Sequence, residues 1–194
     1  MSLVLRECGP EGESYGGFRW PLTVGAEVVA PDWSERAECG NGLHGWLYGA
    51  GDIGVADIVD GAVWLVVEVA EPVVMLGGKC KYPRGTVRFA GPMHAAAAYM
   101  IEHEPRAKTC AVIGAALSAG DGETCAVGAL GTATAGDSGT ATAGDGGTIV
   151  IEWLDRKAGR YRRTVGYVGE QGVKPNTAYR CDANGKLVRA ETAP

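Results

Sequence analysis

The sequence predicts a mainly β protein of the α+β class. Three observations support this prediction: an eight-residue repeat in the middle of the chain, short apolar segments bounded by turn residues on both sides of it, and 31 glycines among 194 residues. We expect an N-terminal α+β domain at 1–106, a short β-solenoid at 107–153 and C-terminal β-hairpins at 154–194.

The N-terminal part predicts several short strands and one helix. The strands are expected at 17–20, 26–30, 43–48, 62–70, 73–76 and 86–90. The segment 62–70 is the most hydrophobic, so we expect it at the centre of a sheet. The helix is expected near 92–103, where Pro92 suits the first turn and an alanine run follows.

The central repeat predicts strands with one buried face. Its units lie at 109–112, 116–119, 124–127, 132–135, 140–143 and 148–151, eight residues apart after one seven-residue step. Alternate side chains of a strand point to opposite faces. One face then collects only cysteine and aliphatic side chains, and we expect it to be the interior: Cys110, Val112, Leu117, Ala119, Cys125, Val127, Ala133, Ala135, Ala141, Ala143, Ile149 and Ile151.

Glycine and aspartate separate the units. Gly120, Gly136 and Gly144 are expected to adopt the positive φ values of tight corners. Asp121, Asp137 and Asp145 are expected to accept hydrogen bonds within their own turns. The alternative, a calcium site, is not predicted because the G-G-x-G-x-D pattern is missing.

The stretch "GTATAGDSGTATAGDG" resembles the sixteen-residue repeats of bacterial ice-nucleation proteins. The resemblance implies a β-solenoid in which two eight-residue units make one turn. The outward residues Thr132, Thr134, Thr140 and Thr142 form a small threonine array. Ice recognition depends on a much larger flat lattice, so we interpret the repeat as a spacer or an oligomerisation stem.

The C-terminal part predicts two hairpins. The first turns at 155–159 and returns through 160–168, and the second turns at 182–185. The first hairpin carries a basic patch that either protects a solvated strand edge or contacts an anionic partner: Arg156, Lys157, Arg160, Arg162 and Arg163.

Composition excludes some classes of function. A net charge of −5 and a pI near 5.2 argue against a nucleic-acid binder. The N-terminus has no signal-peptide pattern and no apolar run reaches the roughly 18 residues of a membrane span, so we expect a cytoplasmic protein without a membrane partner. The six cysteines include no C-x-x-C pair and are expected to be reduced.

Two N-terminal blocks, "GGFRWPLTVGAEV" and "ECGNGLHGWLYGAGD", resemble an uncharacterised family of bacteria and their phages. Members of that family also carry T-A-T-A-G-D repeats and a hairpin like "KPNTAYRCDANGKLV". The resemblance implies a phage or prophage origin, and it implies no activity.

The same blocks contain the candidate site. Histidine, cations and aromatic rings near glycine loops suit a planar anionic ligand such as a nucleotide. The candidate ligand-binding residues are Arg19, Trp20, His44, Trp46, Tyr48, Lys81 and Arg84. The alternative is an aromatic core beside a solvated basic turn.

Metal binding and catalysis have weaker support. Cys39 and His44 are five residues apart, but no second close pair completes a metal site and no third group completes a catalytic set. We therefore predict no metal, no cofactor and no catalytic residue.

The leading prediction is a homo-oligomeric binding module that sequesters a nucleotide-like ligand or a host factor. One alternative is a structural component of a virion or surface. Another is an enzyme that resembles ADP-ribosyltransferases, in which a histidine or an arginine would hold NAD and a glutamate late in the chain would assist transfer. The candidates for that glutamate are Glu68, Glu71 and Glu102.

Overall fold

The computed structural model describes residues 1–56, 58–70 and 72–190. It confirms a mainly β protein with several sheets. The chain forms two compact units, Met1–Cys110 and Ala111–Pro194. Within the described ranges, no helix combines the length and the apolar character needed to cross a membrane.

The described residues of the first unit form an antiparallel sheet with one α-helix. The helix α1 spans Met93–His103, and the strands in chain order are β1 (Ser2–Cys8), β2 (Glu27–Val29), β3 (Leu43–Leu47), β4 (Val63–Val69), β5 (Val74–Met75), β6 (Cys80–Tyr82) and β7 (Arg84–Gly91). Their order in the sheet is β2-β7-β4-β1-β3-β6-β5. Helix α1 packs on β1, β4 and β7 and buries Ala96, Ala97 and Met100.

The prediction of a strand at 17–20 is wrong. Gly16 and Gly17 have positive φ values of 71° and 76°, which turn the chain instead of extending it. The segment Tyr15–Gly17 is a short 3-10 helix, and only an isolated bridge joins Glu13 to Arg19.

The centre of the sheet is β1, which the sequence did not predict as a strand. It pairs with β4 along all of Ser2–Cys8, so the hydrophobic β4 lies beside the centre. Both Val4 and Leu5 are fully buried although they point to opposite faces. The sheet is therefore covered on both sides at β1.

The second unit contains two four-stranded sheets. Its strands are β8 (Ala116–Ala119), β9 (Thr124–Ala126), β10 (Thr132–Ala135), β11 (Thr140–Thr142), β12 (Thr148–Asp155), β13 (Arg160–Tyr167), β14 (Tyr179–Cys181) and β15 (Leu187–Arg189). One sheet has the order β13-β12-β10-β8 and the other β15-β14-β11-β9. Consecutive strands from β8 to β12 thus alternate between the sheets.

The repeat strands pair in parallel at a constant sixteen-residue offset. Thr132 is opposite Ala116 on one side and Thr148 on the other, and Thr140 is opposite Thr124. The predicted interior face is buried in the middle strands, where Ala133, Ala135, Ala141, Ala143, Ile149 and Ile151 are inaccessible to solvent. Leu117 and Ala119 are half-buried because β8 is an edge strand.

The prediction of positive φ at Gly120, Gly136 and Gly144 is wrong. The left-handed residues lie two positions later and recur every eight residues: Gly114, Gly122, Leu130, Ser138 and Gly146. Gly136 is instead required by close approach, since a Cβ there would lie 2.7 Å from the backbone nitrogen of Asp121.

Two of the three corner aspartates, Asp121 and Asp137, accept hydrogen bonds from outside their own turns, which differs from the prediction. Asp121 Oδ1 accepts a hydrogen bond from the backbone N–H of Asp137, sixteen residues later. Asp137 Oδ1 accepts one from Leu154 N–H. The first bond joins two stacked corners, and the second joins a corner to the end of β12, so both carboxylates tie neighbouring turns of the repeat together.

The C-terminal hairpins are formed by β12 with β13 and β14 with β15. Gly159 and Gly185 supply the positive φ values of their turns. Arg162 and Arg163 of the predicted basic patch pair with Asp155 and Glu152.

Candidate functional site

A cavity of about 960 Å³ opens within the first unit. Its walls come from β1, the 13–20 segment, the loop 31–42, the start of β3, and from Val55, Ala56, Val59 and Lys79. It contains two of the predicted site residues, Trp20 and His44, together with Arg6, Cys39 and Lys79. We call it the Arg6 cavity.

Arg6 is an arginine within the central strand. The alternation of β1 places it on the same face as Val4 and Cys8, which are both buried. Its guanidinium carbon lies 5.4 Å from the centroid of the Trp20 ring. The Nε atom is buried and makes no hydrogen bond to a described residue. Burial lowers the pKa of Arg6 from its usual value, because desolvation disfavours the charged form of the guanidinium.

Three more buried polar atoms have no hydrogen-bond partner among the described residues. They are Trp20 Nε1, His44 Nε2 and Tyr82 Oη. Trp20 and His44 line the Arg6 cavity, and the positive charge of Arg6 acts on the Tyr82 hydroxyl, whose pKa is raised by burial. Buried polar groups in native proteins are nearly always paired, so such a concentration makes this cavity the candidate site for an external hydrogen-bonding group.

The lowered pKa of His44 indicates a positive electrostatic potential in the cavity. Its pKa is lowered to about 4, mainly by burial and also by Lys79, Arg6 and Lys81, against an opposing effect of Asp32. The imidazole is therefore neutral at pH 7. With one ring nitrogen unpartnered, it can donate or accept a hydrogen bond according to its tautomer.

Lys81 holds the loop 31–42 in place. Its side chain is fully buried, and Nζ donates to the carbonyl oxygens of Glu38 at 3.0 Å and Gly40 at 3.2 Å. The ammonium also lies 5.8 Å from the centroid of the Trp33 ring. Lys81, a predicted ligand-binding residue, thus stabilises the loop that forms part of the cavity wall and does not itself line the cavity.

The loop needs left-handed backbone at its tip. Gly40, Asn41 and Gly42 have φ values of 95°, 53° and 139°. The Gly42 N–H donates to Asp32 Oδ1 at 3.1 Å. This turn presents Cys39 at the edge of the cavity.

Cys39 is the exposed thiol of the protein. Of the six cysteines, all within the described ranges, Cys8, Cys80 and Cys125 are buried, and Cys110 and Cys181 are partly buried. Lys79 Nζ donates a hydrogen bond to Cys39 Sγ at 3.2 Å. This bond lowers the pKa of the Cys39 thiol, which favours the thiolate.

The other predicted site residues lie outside the cavity lining. Arg19 is exposed and pairs with Glu11 at 3.1 Å. Trp46 is buried and stacks on Trp64 with ring centroids 5.7 Å apart. Arg84 is exposed at the start of β7.

Tyr48 makes a separate contact. Its hydroxyl accepts a hydrogen bond from Arg106 Nη1 at 2.9 Å, and the Arg106 guanidinium lies 4.3 Å from the ring centroid. The predicted group is therefore divided between the Arg6 cavity, the supporting loop and unrelated contacts.

Arg6 is the central residue that the sequence reasoning missed. The signal was present in "SLVLREC", where an arginine replaces an apolar residue on the face shared with Val4 and Cys8. Recognising it required the segment to be identified as a buried strand.

A second cavity of about 270 Å³ lies near α1. Its arginines already have partners: Arg88 pairs with Glu68, and Arg106 pairs with Glu104 at 2.6 Å. Of the glutamates considered for transferase chemistry, Glu68 lines this second cavity, Glu102 is exposed on α1 and Glu71 lies outside the described residues. The described residues hold no group of three His, Cys, Asp or Glu side chains suited to a metal ion.

Comparison with known proteins gives one partial similarity. The chain is 33% identical over 93 residues to an ice nucleation protein of Pseudomonas syringae, and equally to one of Pseudomonas syringae pv. syringae. The matched part is 46% of this chain and 8% of the length of each relative. No protein-family model matches the chain. No solved structure matches it either.

Proposed function

We propose that the first unit is a non-catalytic binding module for a small anionic ligand of the nucleotide type. The observation that carries this proposal is a set of buried polar atoms without a hydrogen-bond partner among the described residues, Arg6 Nε, Trp20 Nε1 and His44 Nε2, on residues that line one cavity. Ligand pockets combine apolar walls with a few polar groups placed in this way.

The charges of the cavity support a ligand with both anionic and neutral polar groups. The cations Arg6 and Lys79 suit phosphate oxygens. The carboxylates of Glu13 and Asp32 also line the cavity, and carboxylates accept hydrogen bonds from sugar hydroxyls or base amino groups. Tyr15 is fully exposed beside them and offers an aromatic face.

Calorimetric titration with ADP and with adenosine tests the proposal. ADP is expected to bind and adenosine to bind far more weakly, because only ADP supplies the anion for Arg6. A hydrogen bond to a charged group contributes about 1.5 to 3 kcal/mol, so Arg6→Gln is expected to weaken ADP binding at least about tenfold.

Arg19→Gln is the matched control, since it removes the same charge from the same unit at an exposed position outside the cavity. Its ADP affinity is expected to equal that of the unmodified protein. Equal losses in the two variants, or no binding of any nucleotide, would contradict the assignment of the site. Native mass spectrometry of protein purified from cells measures both a copurified ligand and the predicted homo-oligomer.

For the second unit, we infer a short β-solenoid that serves as a scaffold. The sixteen-residue offset of the parallel pairs, the alternation of strands between two sheets and the left-handed residue every eight positions support a coil with two units per turn. The partial identity to ice nucleation proteins agrees with this repeat.

Ice nucleation itself is not the function proposed here. Thr132, Thr134, Thr140 and Thr142 are half-buried and belong to two short strands in different sheets. Neighbouring strands of a sheet lie about 4.8 Å apart, so the threonine surface formed by so few repeats is narrow. A structural role as spacer or oligomerisation stem fits this size better.

A further inference from the structure

Cys39 lies where an external anion would be bound. It lines the Arg6 cavity together with Arg6, Lys79 and His44. Its sulfur accepts a hydrogen bond from Lys79 Nζ at 3.2 Å. The cavity also contains Trp20, whose side chain is 4% exposed and whose Nε1 has no partner among the described residues.

Two features make this thiol chemically distinct from the other five. It is exposed, whereas the other five are buried or partly buried. A neighbouring ammonium also favours its thiolate form, and the thiolate is the species that attacks disulfides. Burial instead raises the pKa values of Cys8 and Cys80, to about 11 and about 12.

We propose that Cys39 is a thiol–disulfide exchange site for small anionic disulfides, which the cations of the Arg6 cavity attract and whose attachment blocks that cavity. This inference rests on the proposed anion site. The Cys39 thiolate attacks one sulfur of the disulfide, a new S–S bond forms, and the old S–S bond breaks. The leaving thiolate carries away the electron pair and takes a proton from water, so the disulfide itself is the only oxidant.

We expect the rate of exchange at Cys39 to depend on the charge of the disulfide. Lys79 and Lys81 both act on the Cys39 thiol, and Lys79, Arg6 and Lys81 all act on His44 in the same cavity. A disulfide with carboxylate ends is attracted by these cations, and one with ammonium ends is repelled. The modified Cys39 would place the carboxylate of the attached half in the space proposed for the nucleotide phosphate.

The experiment measures mixed-disulfide formation by intact-protein mass spectrometry with two small disulfides of similar size. The probes are 3,3′-dithiodipropionate, which is anionic, and cystamine, which is cationic. Each rate is divided by the rate of the same probe with free 2-mercaptoethanol, because the two leaving thiols differ in pKa. At pH 7 and low salt, the normalised rate is expected to be about tenfold higher for the anionic probe, and added salt should reduce the difference. Peptide mapping should place the adduct on Cys39.

Four variants separate the contributions of the thiol itself, of its thiolate fraction and of the cavity charge to the reaction rate. Cys39→Ser should lose the rapid reaction, and Cys110→Ser, the control at a partly exposed thiol outside the cavity, should keep it. Lys79→Gln should slow the reaction with both probes several-fold by reducing the thiolate fraction. Arg6→Gln should slow the reaction with the anionic probe and speed the reaction with cystamine, so that the preference for the anionic probe falls.

Modification of Cys110 in place of Cys39, or equal normalised rates for the two probes, would overturn the proposal. Should Arg6→Gln not fold, protection of Cys39 by millimolar pyrophosphate replaces it, and unchanged rates with pyrophosphate count against the proposal. Measuring ADP binding to Cys39→Ser distinguishes failure of the exchange proposal from failure of the nucleotide-site proposal. If this variant binds ADP but the unmodified protein shows no rapid exchange, the nucleotide site is supported and the exchange site is contradicted.

Discussion

At the scale of single residues, His44 couples stability to pH. Its pKa is about 4 in the folded protein because burial and neighbouring cations disfavour the imidazolium, whereas an unfolded histidine titrates near 6.5. Between these values the unfolded chain binds a proton that the folded chain does not. The free energy of unfolding therefore falls as the pH decreases from about 6.5 to about 4.

We expect this contribution to be on the order of 2 kcal/mol between pH 7 and pH 4. Urea unfolding at both pH values measures it, with His44→Gln as the variant that cannot titrate. The variant should lose clearly less stability on acidification than the unmodified protein does. Identical losses would mean that His44 is not held neutral in the cavity.

At the scale of elements, the left-handed residues divide the repeat into equal units. The chain adopts positive φ at every eighth position from Gly114 to Gly146, and glycine occupies three of these five positions. Leu130 and Ser138 adopt φ values of 58° and 60° without that freedom. A non-glycine residue in this conformation costs roughly 1 kcal/mol.

Ser138→Gly should therefore raise the free energy of unfolding by about 0.5 to 1 kcal/mol, after the greater entropy of glycine in the unfolded chain is considered. Ser138 is exposed, so the change removes little packing. Ser138→Ala is the control and should give no gain. Chemical denaturation of the three proteins makes the comparison, and a destabilised glycine variant would show that the φ value at this corner is not a source of strain.

At the scale of the whole molecule, the repeat makes a length-dependent prediction. Because β10 is opposite β8 and β12 at offsets of sixteen residues, deletion of 132–147 brings Thr148 opposite Ala116 in an unchanged register. Deletion of 132–139 alone moves every later strand to the other sheet. We expect a cooperative unfolding transition for the sixteen-residue deletion and its loss for the eight-residue deletion, measured by circular dichroism during denaturation. Similar transitions in both proteins would contradict the two-unit coil.

The sequence by itself determined the features that depend on local pattern. The alternation of alanine with threonine assigned the buried face of β10 and β11, the alanine run predicted α1, and turns ending at Gly159 and Gly185 predicted the hairpins. These features follow from side-chain periodicity and turn chemistry within a few residues.

Only the tertiary structure decided the features that depend on distant neighbours. The segment of β1 reads as an ordinary mixed stretch, and its pairing with β4 and β3 places Arg6 beside Trp20. The same is true of Lys79, whose contact with Cys39 joins residues forty positions apart. The burial and the electrostatic potential at such a site depend on side chains from segments far apart in the chain. A local sequence pattern does not show which of these segments come into contact.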